Sequence, residues 1–141
     1  MKDKNTGDLR QELMESPDLE QYLAENEAFF SNRDAAAMLS DLFKKSGISK
    51  AALAKRSGMS EIYLHQIFSG RRNPSRSRLL CLCFGLGVSL EEAQELLKRC
   101  GLAQLYPRSR RDAIIIYGLA HHLPLFSVND ALFSADEETL F

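Results

Sequence analysis

The chain has 141 residues, 45% of them hydrophobic, which suffices for one domain or for one domain with an appendage. It contains no secretory apolar segment and no apolar run of spanning length, which excludes a membrane-spanning reading and leads us to expect a cytoplasmic protein with no membrane partner. The net charge of −1 is unevenly placed: residues 1–32 hold three basic and eight acidic side chains (−5), residues 33–78 ten basic and three acidic (+7), and residues 79–141 five basic and eight acidic (−3).

Residues 1–7 are polar and expected to be disordered. A short helix is predicted over Asp8 to Glu15. Ser16-Pro17 is a start signal, because proline at the first helical position lacks only an N–H that would be unpaired anyway, and a helix from Pro17 to about Glu25 follows. The acids of this N-terminal segment, residues 1–32, either form a solvated face or cover a basic surface; the first is favoured. The next helix is predicted over Arg33 to Ser46, with Asn32 as N-cap, an apolar stripe of Ala35, Met38, Leu39 and Leu42, and Gly47 as terminator.

Lys50 to Asn73 reads KAALAKRSGMSEIYLHQIFSGRRN. Ser49 caps a first helix with Leu53 and Ala54 inward. Gly58 ends it, since glycine takes the left-handed turn without steric cost. Ser60 caps a second helix whose Leu64 and Ile67, spaced i and i+3, face inward behind Met59. Ala54 is small where the two helices have to cross. Gly70 closes the pair, and Arg71, Arg72, Asn73 and Pro74 follow. Ala54, Gly58, Leu64 and Ile67 at these offsets, followed by SGRRNPS, resemble the helix-turn-helix of Cro/repressor-type (XRE family) regulators over roughly residues 33–96.

That resemblance implies a fold and a ligand. The fold is all-α: a five-helix lambda-repressor-like DNA-binding domain over residues 33–101, with a C-terminal helical extension over 102–141. The ligand is double-stranded DNA, bound by a homodimer. By the resemblance, Glu61, Ile62 and Gln66 occupy base-reading positions. With Leu64 and Ile67 inside, Ser60, Glu61, Ile62, His65 and Gln66 all point outward, with Tyr63 at the margin. Gln66 is expected to pair with adenine and Ile62 to meet a thymine methyl. Glu61 either accepts from cytosine or repels phosphate. Lys50, Ser60, Ser69, Arg71 and Arg72 are expected on the phosphate backbone. Phe68 and Tyr63 are aromatic where polar residues are usual, and one of them is expected against the following helix or the tail.

Ser75 caps a helix predicted over Arg76 to Leu86, with Leu79, Leu80, Leu82, Cys83 and Leu86 in the core and Gly87 as its end. Ser89-Leu-Glu-Glu opens another, burying Ala93, Leu96 and Leu97 and closed by Gly101. Tyr106-Pro107 breaks the chain. Arg108 to His122 reads as a helix rather than a strand despite its three adjacent isoleucines, and a last helix runs from Pro124 to about Phe133. At a shift of 35 residues Arg76 falls on Arg111, Leu79-Leu80 on Ile114-Ile115, Phe84 on Leu119, Val88 on Leu123, Leu90 on Leu125, Leu97 on Leu132 and Leu105 on Leu140. The tail is therefore either a second copy of the preceding hairpin or two unrelated amphipathic helices. Its apolar excess suits a dimer contact or a protein partner.

The three cysteines suit buried, reduced thiols better than a zinc site with His121 and His122, whose spacing matches no usual ligand pattern. We expect no cofactor and no metal. With no nucleophile–histidine–acid set and no phosphate-cradling glycine loop, we expect no enzyme. The competing reading is a protein-interaction module on the same fold, an antitoxin or a signalling adaptor, with weak or no specific DNA binding.

Overall fold

The computed structural model describes residues 4–27 and 31–141, for residues 31–34 the backbone alone. All secondary structure among the described residues is helical: α1 (Thr6–Glu15), α2 (Leu19–Glu25), α3 (Ser31–Ser46), α4 (Lys50–Ser57), α5 (Glu61–Phe68), α6 (Arg76–Leu86), α7 (Leu90–Arg99), α8 (Arg110–Ala120) and α9 (Leu125–Ser134).

The N-terminal segment differs from expectation in two places. Thr6 and Gly7 are helical rather than disordered, because Asn5 and Asp8 form a reciprocal capping box. Residues 1–3 lie outside the described part. The second helix starts at Leu19 and not at Pro17, because Asp18 is the better cap: its carboxylate accepts from the N–H groups of Glu20 and Gln21. The two helices are joined by polar bonds. Lys4 Nζ donates to Glu12 at 2.6 Å and to Asn26 Oδ1 at 2.7 Å, and Asn26 Nδ2 donates to Glu12 at 2.9 Å. Glu20 and Glu25 are exposed. Helix α3 opens at Ser31, a residue before the expected cap Asn32, whose side chain lies outside the described part.

A single apolar core runs from Leu39 to Leu140, and α6 lies at its centre. A helix that is apolar on all sides must be covered on all sides. Leu79, Leu80, Cys81, Leu82 and Cys83 are each fully buried, with α3, α4, α7 and α9 around them. Burial pushes the Cys81 thiol up to about 11 and raises those of Cys83 and Cys100. The close crossing is between α4 and α6. It is set by Ser57 and Gly85: a Cβ on Gly85 would lie 2.1 Å from Ser57 Oγ and 2.9 Å from Leu53 Cδ1. Ala54, the small residue expected where α4 crosses α5, is buried.

The tail is a second copy of the α6–α7 hairpin in its hydrogen bonds as well as in its apolar register. Arg76 Nε donates to Ala103 O at 2.8 Å and Nη2 to Gln104 O at 3.2 Å. At the 35-residue offset, Arg111 Nε donates to Glu138 O at 2.8 Å and Nη2 to Thr139 O at 3.3 Å. The Leu105 N–H donates to Gln94 Oε1 at 2.7 Å, and the Leu140 N–H to Asn129 Oδ1 at 2.7 Å. The left-handed residues correspond too: Gly87 (φ 67°) and His122 (φ 54°), then Gly101 (φ 69°) and Asp136 (φ 58°). Helix α8 is shorter at both ends than expected, with Ser109 as its cap. It buries Ile115 fully, while Ile114 and Ile116 are half-buried.

Candidate nucleic-acid interface

The α4–α5 pair turns on Gly58 (φ 65°), whose N–H returns to Ala54 and Lys55 carbonyls. Ser60 then caps α5, its Oγ accepting from the Tyr63 N–H at 3.1 Å. Leu64 and Ile67 lock the rotation of α5 from inside, at 0% and 2% exposure. Its open face is then Glu61, Ile62 and His65, with Gln66 half-buried at its edge. Ile62 is 75% exposed, a large apolar side chain with no intramolecular cover. Glu61 lies in the first turn of α5, where its charge suits the helix dipole whatever else it meets.

The segment after α5 gathers mainly on one carbonyl, with the Gly70 N–H on Ile67 O beside it at 3.1 Å. Gln66 O accepts from the N–H groups of Arg71 at 3.0 Å and Arg72 at 3.2 Å, and from Ser69 Oγ at 3.1 Å. This places the exposed Arg71 and Arg72 at the C-terminal end of α5. The Ser69 hydroxyl hydrogen is turned inward by its bond, whereas Ser60 still has its own to donate. Lys50 is exposed at the first turn of α4.

Both aromatic side chains have partners other than the tail. Phe68 packs on Phe43 of α3, ring centroids 5.2 Å apart. Tyr63 has the Arg72 guanidinium 5.2 Å from its ring centre and that of Arg78, on α6, at 5.8 Å. Sequence reasoning did not single out Arg78. Its signal is weak, an arginine two places after Arg76 in the first turn of a core helix. Arg76 itself is withdrawn from solvent-facing work. It forks onto Asp112 at 3.1 and 2.9 Å, and Asp112 also accepts from the Tyr106 N–H at 3.0 Å. Among the described side chains, the cations left exposed in residues 33–78 are Lys44, Lys45, Lys50, Lys55, Arg56, Arg71 and Arg72.

Among the described residues no group of three or more His, Cys, Asp or Glu side chains could hold a metal ion, and no helix is long and apolar enough to cross a membrane. The chain matches no curated protein and no solved structure. Residues 32–96, which include the whole of α4, α5 and the basic segment after them, match the family model of a helix-turn-helix domain.

Proposed function

We infer that the protein is a cytoplasmic, sequence-specific DNA-binding transcriptional regulator that acts as a homodimer and not as an enzyme. In this reading residues 33–101 are the DNA-binding domain and residues 102–141 a helical extension that helps to build the dimer or docks a protein partner. The observation that supports it most is the exposed face of α5, bordered by exposed cations inside the helix-turn-helix match. Ile62, Gln66, His65 and Glu61 read base edges in the major groove, and Lys50, Ser60, Ser69, Arg71 and Arg72 position the protein on phosphates. A two-fold dimer places two such helices about 34 Å apart, one turn of duplex.

A salt titration of binding to random and to selected duplexes tests this. Each phosphate contact contributes a slope of about −0.9 in log K against log salt, and a preferred site binds far more tightly than random sequence. The second reading, an interaction module such as an antitoxin or signalling adaptor, is favoured by Glu61, an exposed acid at the front of the reading helix. Absence of salt-dependent DNA binding would refute the first reading and leave the second standing.

A further inference from the structure

A pocket of about 280 Å³ opens between α4, the C-terminal end of α6 and the α8–α9 turn. Its walls are apolar, among them Phe84, Val88, Leu119 and Phe126. Two polar side chains line it as well. Arg56, on the helix before the reading helix, has no ion pair or hydrogen bond to a described residue. His122 is the other, and its backbone is in the left-handed region at φ 54°. The first copy of the repeat has Gly87 at the equivalent place, the residue that region favours. The second copy puts an imidazole there despite the steric penalty, at the edge of a pocket that also carries an unpaired guanidinium. The position is a helix end, where a left-handed residue is usual, and it brings the imidazole to the rim of the pocket beside Arg56.

We propose that this pocket binds a small aromatic carboxylate, its ring system among the phenylalanine and aliphatic side chains and its carboxylate between Arg56 and His122. The charge of Arg56 selects an anion, and a charge-assisted hydrogen bond to guanidinium is among the strongest available. The volume sets the size. A cavity of about 150 Å³ accommodates benzene, so this pocket suits a body about the size of two fused rings. The ligand bridges α4 to the tail. Any effect on DNA rests on the reading above, but the binding does not, and the test contains no DNA.

The probe is 2-naphthoate, titrated into the full chain and followed by its own fluorescence, which the absence of tryptophan leaves uncluttered. Saturable binding below about 1 mM is expected, with 2-naphthalenemethanol, the neutral analogue, at least about tenfold weaker. Arg56→Gln and His122→Gly each weaken the acid by about tenfold or more. His122→Gly also relieves the left-handed strain, so it loses binding while its melting temperature holds or rises. No saturation by about 1 mM, equal binding of the alcohol, or unchanged affinity in both variants overturns the proposal.

Discussion

Replacing Asp112 by Asn removes the charge between α6 and α8 while keeping the shape of the side chain. Asp112 is 6% exposed and accepts three hydrogen bonds, two from Arg76 and one from the Tyr106 N–H. Breaking a fully buried ion pair costs about 3–5 kcal/mol. Here the Arg76 side chain keeps 24% of its exposure and two carbonyl partners, Ala103 and Gln104. Solvent screening and those partners reduce the expected loss to about 2–3 kcal/mol. At about 3 °C per kcal/mol for a chain of this size, the melting temperature at neutral pH falls by roughly 6–9 °C. The pH dependence has a definite sign. Burial by itself raises the Asp112 carboxyl, but the hydrogen bonds from Arg76 and Tyr106 and the charges of Arg76 and Arg111 outweigh it, so the folded value lies below the ordinary 3.8. The contribution is complete above 3.8 and is lost as pH falls through the lower folded value. Thermal unfolding of both proteins across pH therefore gives a gap that is level from about pH 7 to 5 and closes below about 4. Arg111→Ala is the internal control. It removes the equivalent bonds in the second copy, which involve carbonyls and the Ser77 hydroxyl but no carboxylate, and should cost only about 1 kcal/mol. A variant as stable as the parent at neutral pH, or a gap that widens on acidification, would refute the reasoning.

Changing Arg71 and Arg72 together to Ala should weaken binding to all duplexes alike and flatten the salt slope by up to about 1.8; an unchanged slope removes both from the interface. Gln66→Ala should cost about 1–3 kcal/mol on a preferred site and little on random DNA, and equal losses on both would make it a positioning residue. Gly85→Ala places a methyl 2.1 Å from Ser57 Oγ, and denaturant unfolding should show a loss of about 1–3 kcal/mol from overpacking. Truncation after Gly101 strips Ile115, Leu119, Leu125, Val128, Leu132 and Leu140 from the shared core. At about 1.5–3 kcal/mol for each buried side chain, that exceeds or rivals the whole stability of a typical domain, so sedimentation should show aggregate rather than a folded monomer.

The rotation of α5 was legible because two inward residues determine it. Once Leu64 and Ile67 are placed, Glu61, Ile62 and His65 have nowhere to go but outward. What surrounds the helix was not legible. Arg76 and Arg78 are two residues apart on one basic run, yet one is bound to Asp112 and the other rests near Tyr63. Local pattern cannot separate them, because the partner that claims Arg76 lies 36 residues further along. The same limit explains Phe68. Its helix was correctly drawn, but whether it met α3, α6 or the tail depended on how α3 crosses, which the spacing of apolar residues does not encode.

The tail shows a different kind of concealment. An apolar register can be read at an offset because leucine on isoleucine still looks like a match, but the polar positions that fix the hairpin keep their roles while changing identity. Gln94 and Asn129 both accept from the N–H of a leucine that closes the hairpin. Gln94 reaches the Leu105 carbonyl as well, through its own N–H at 2.9 Å. Asn129 is a methylene shorter; its Nδ2 has no partner, and the Leu140 carbonyl takes the Cys81 thiol at 3.8 Å instead. Glycine at 87 and 101 becomes histidine at 122 and aspartate at 136, yet all four keep the left-handed conformation that ends a helix. Four positions are identical, Arg76 and Arg111, Leu90 and Leu125, Leu97 and Leu132, and Leu105 and Leu140, but three of them are leucines, and among the polar positions only the arginine is shared. Two of the changed positions adjoin the helices that precede the second copy. Asn129 lies beside α6 through Leu140 and Cys81, and His122 opens onto the pocket with Arg56. Both changes lie where the second hairpin meets earlier helices, α6 for Asn129 and α4 for His122, and a duplicated hairpin must adapt there once it packs on its original.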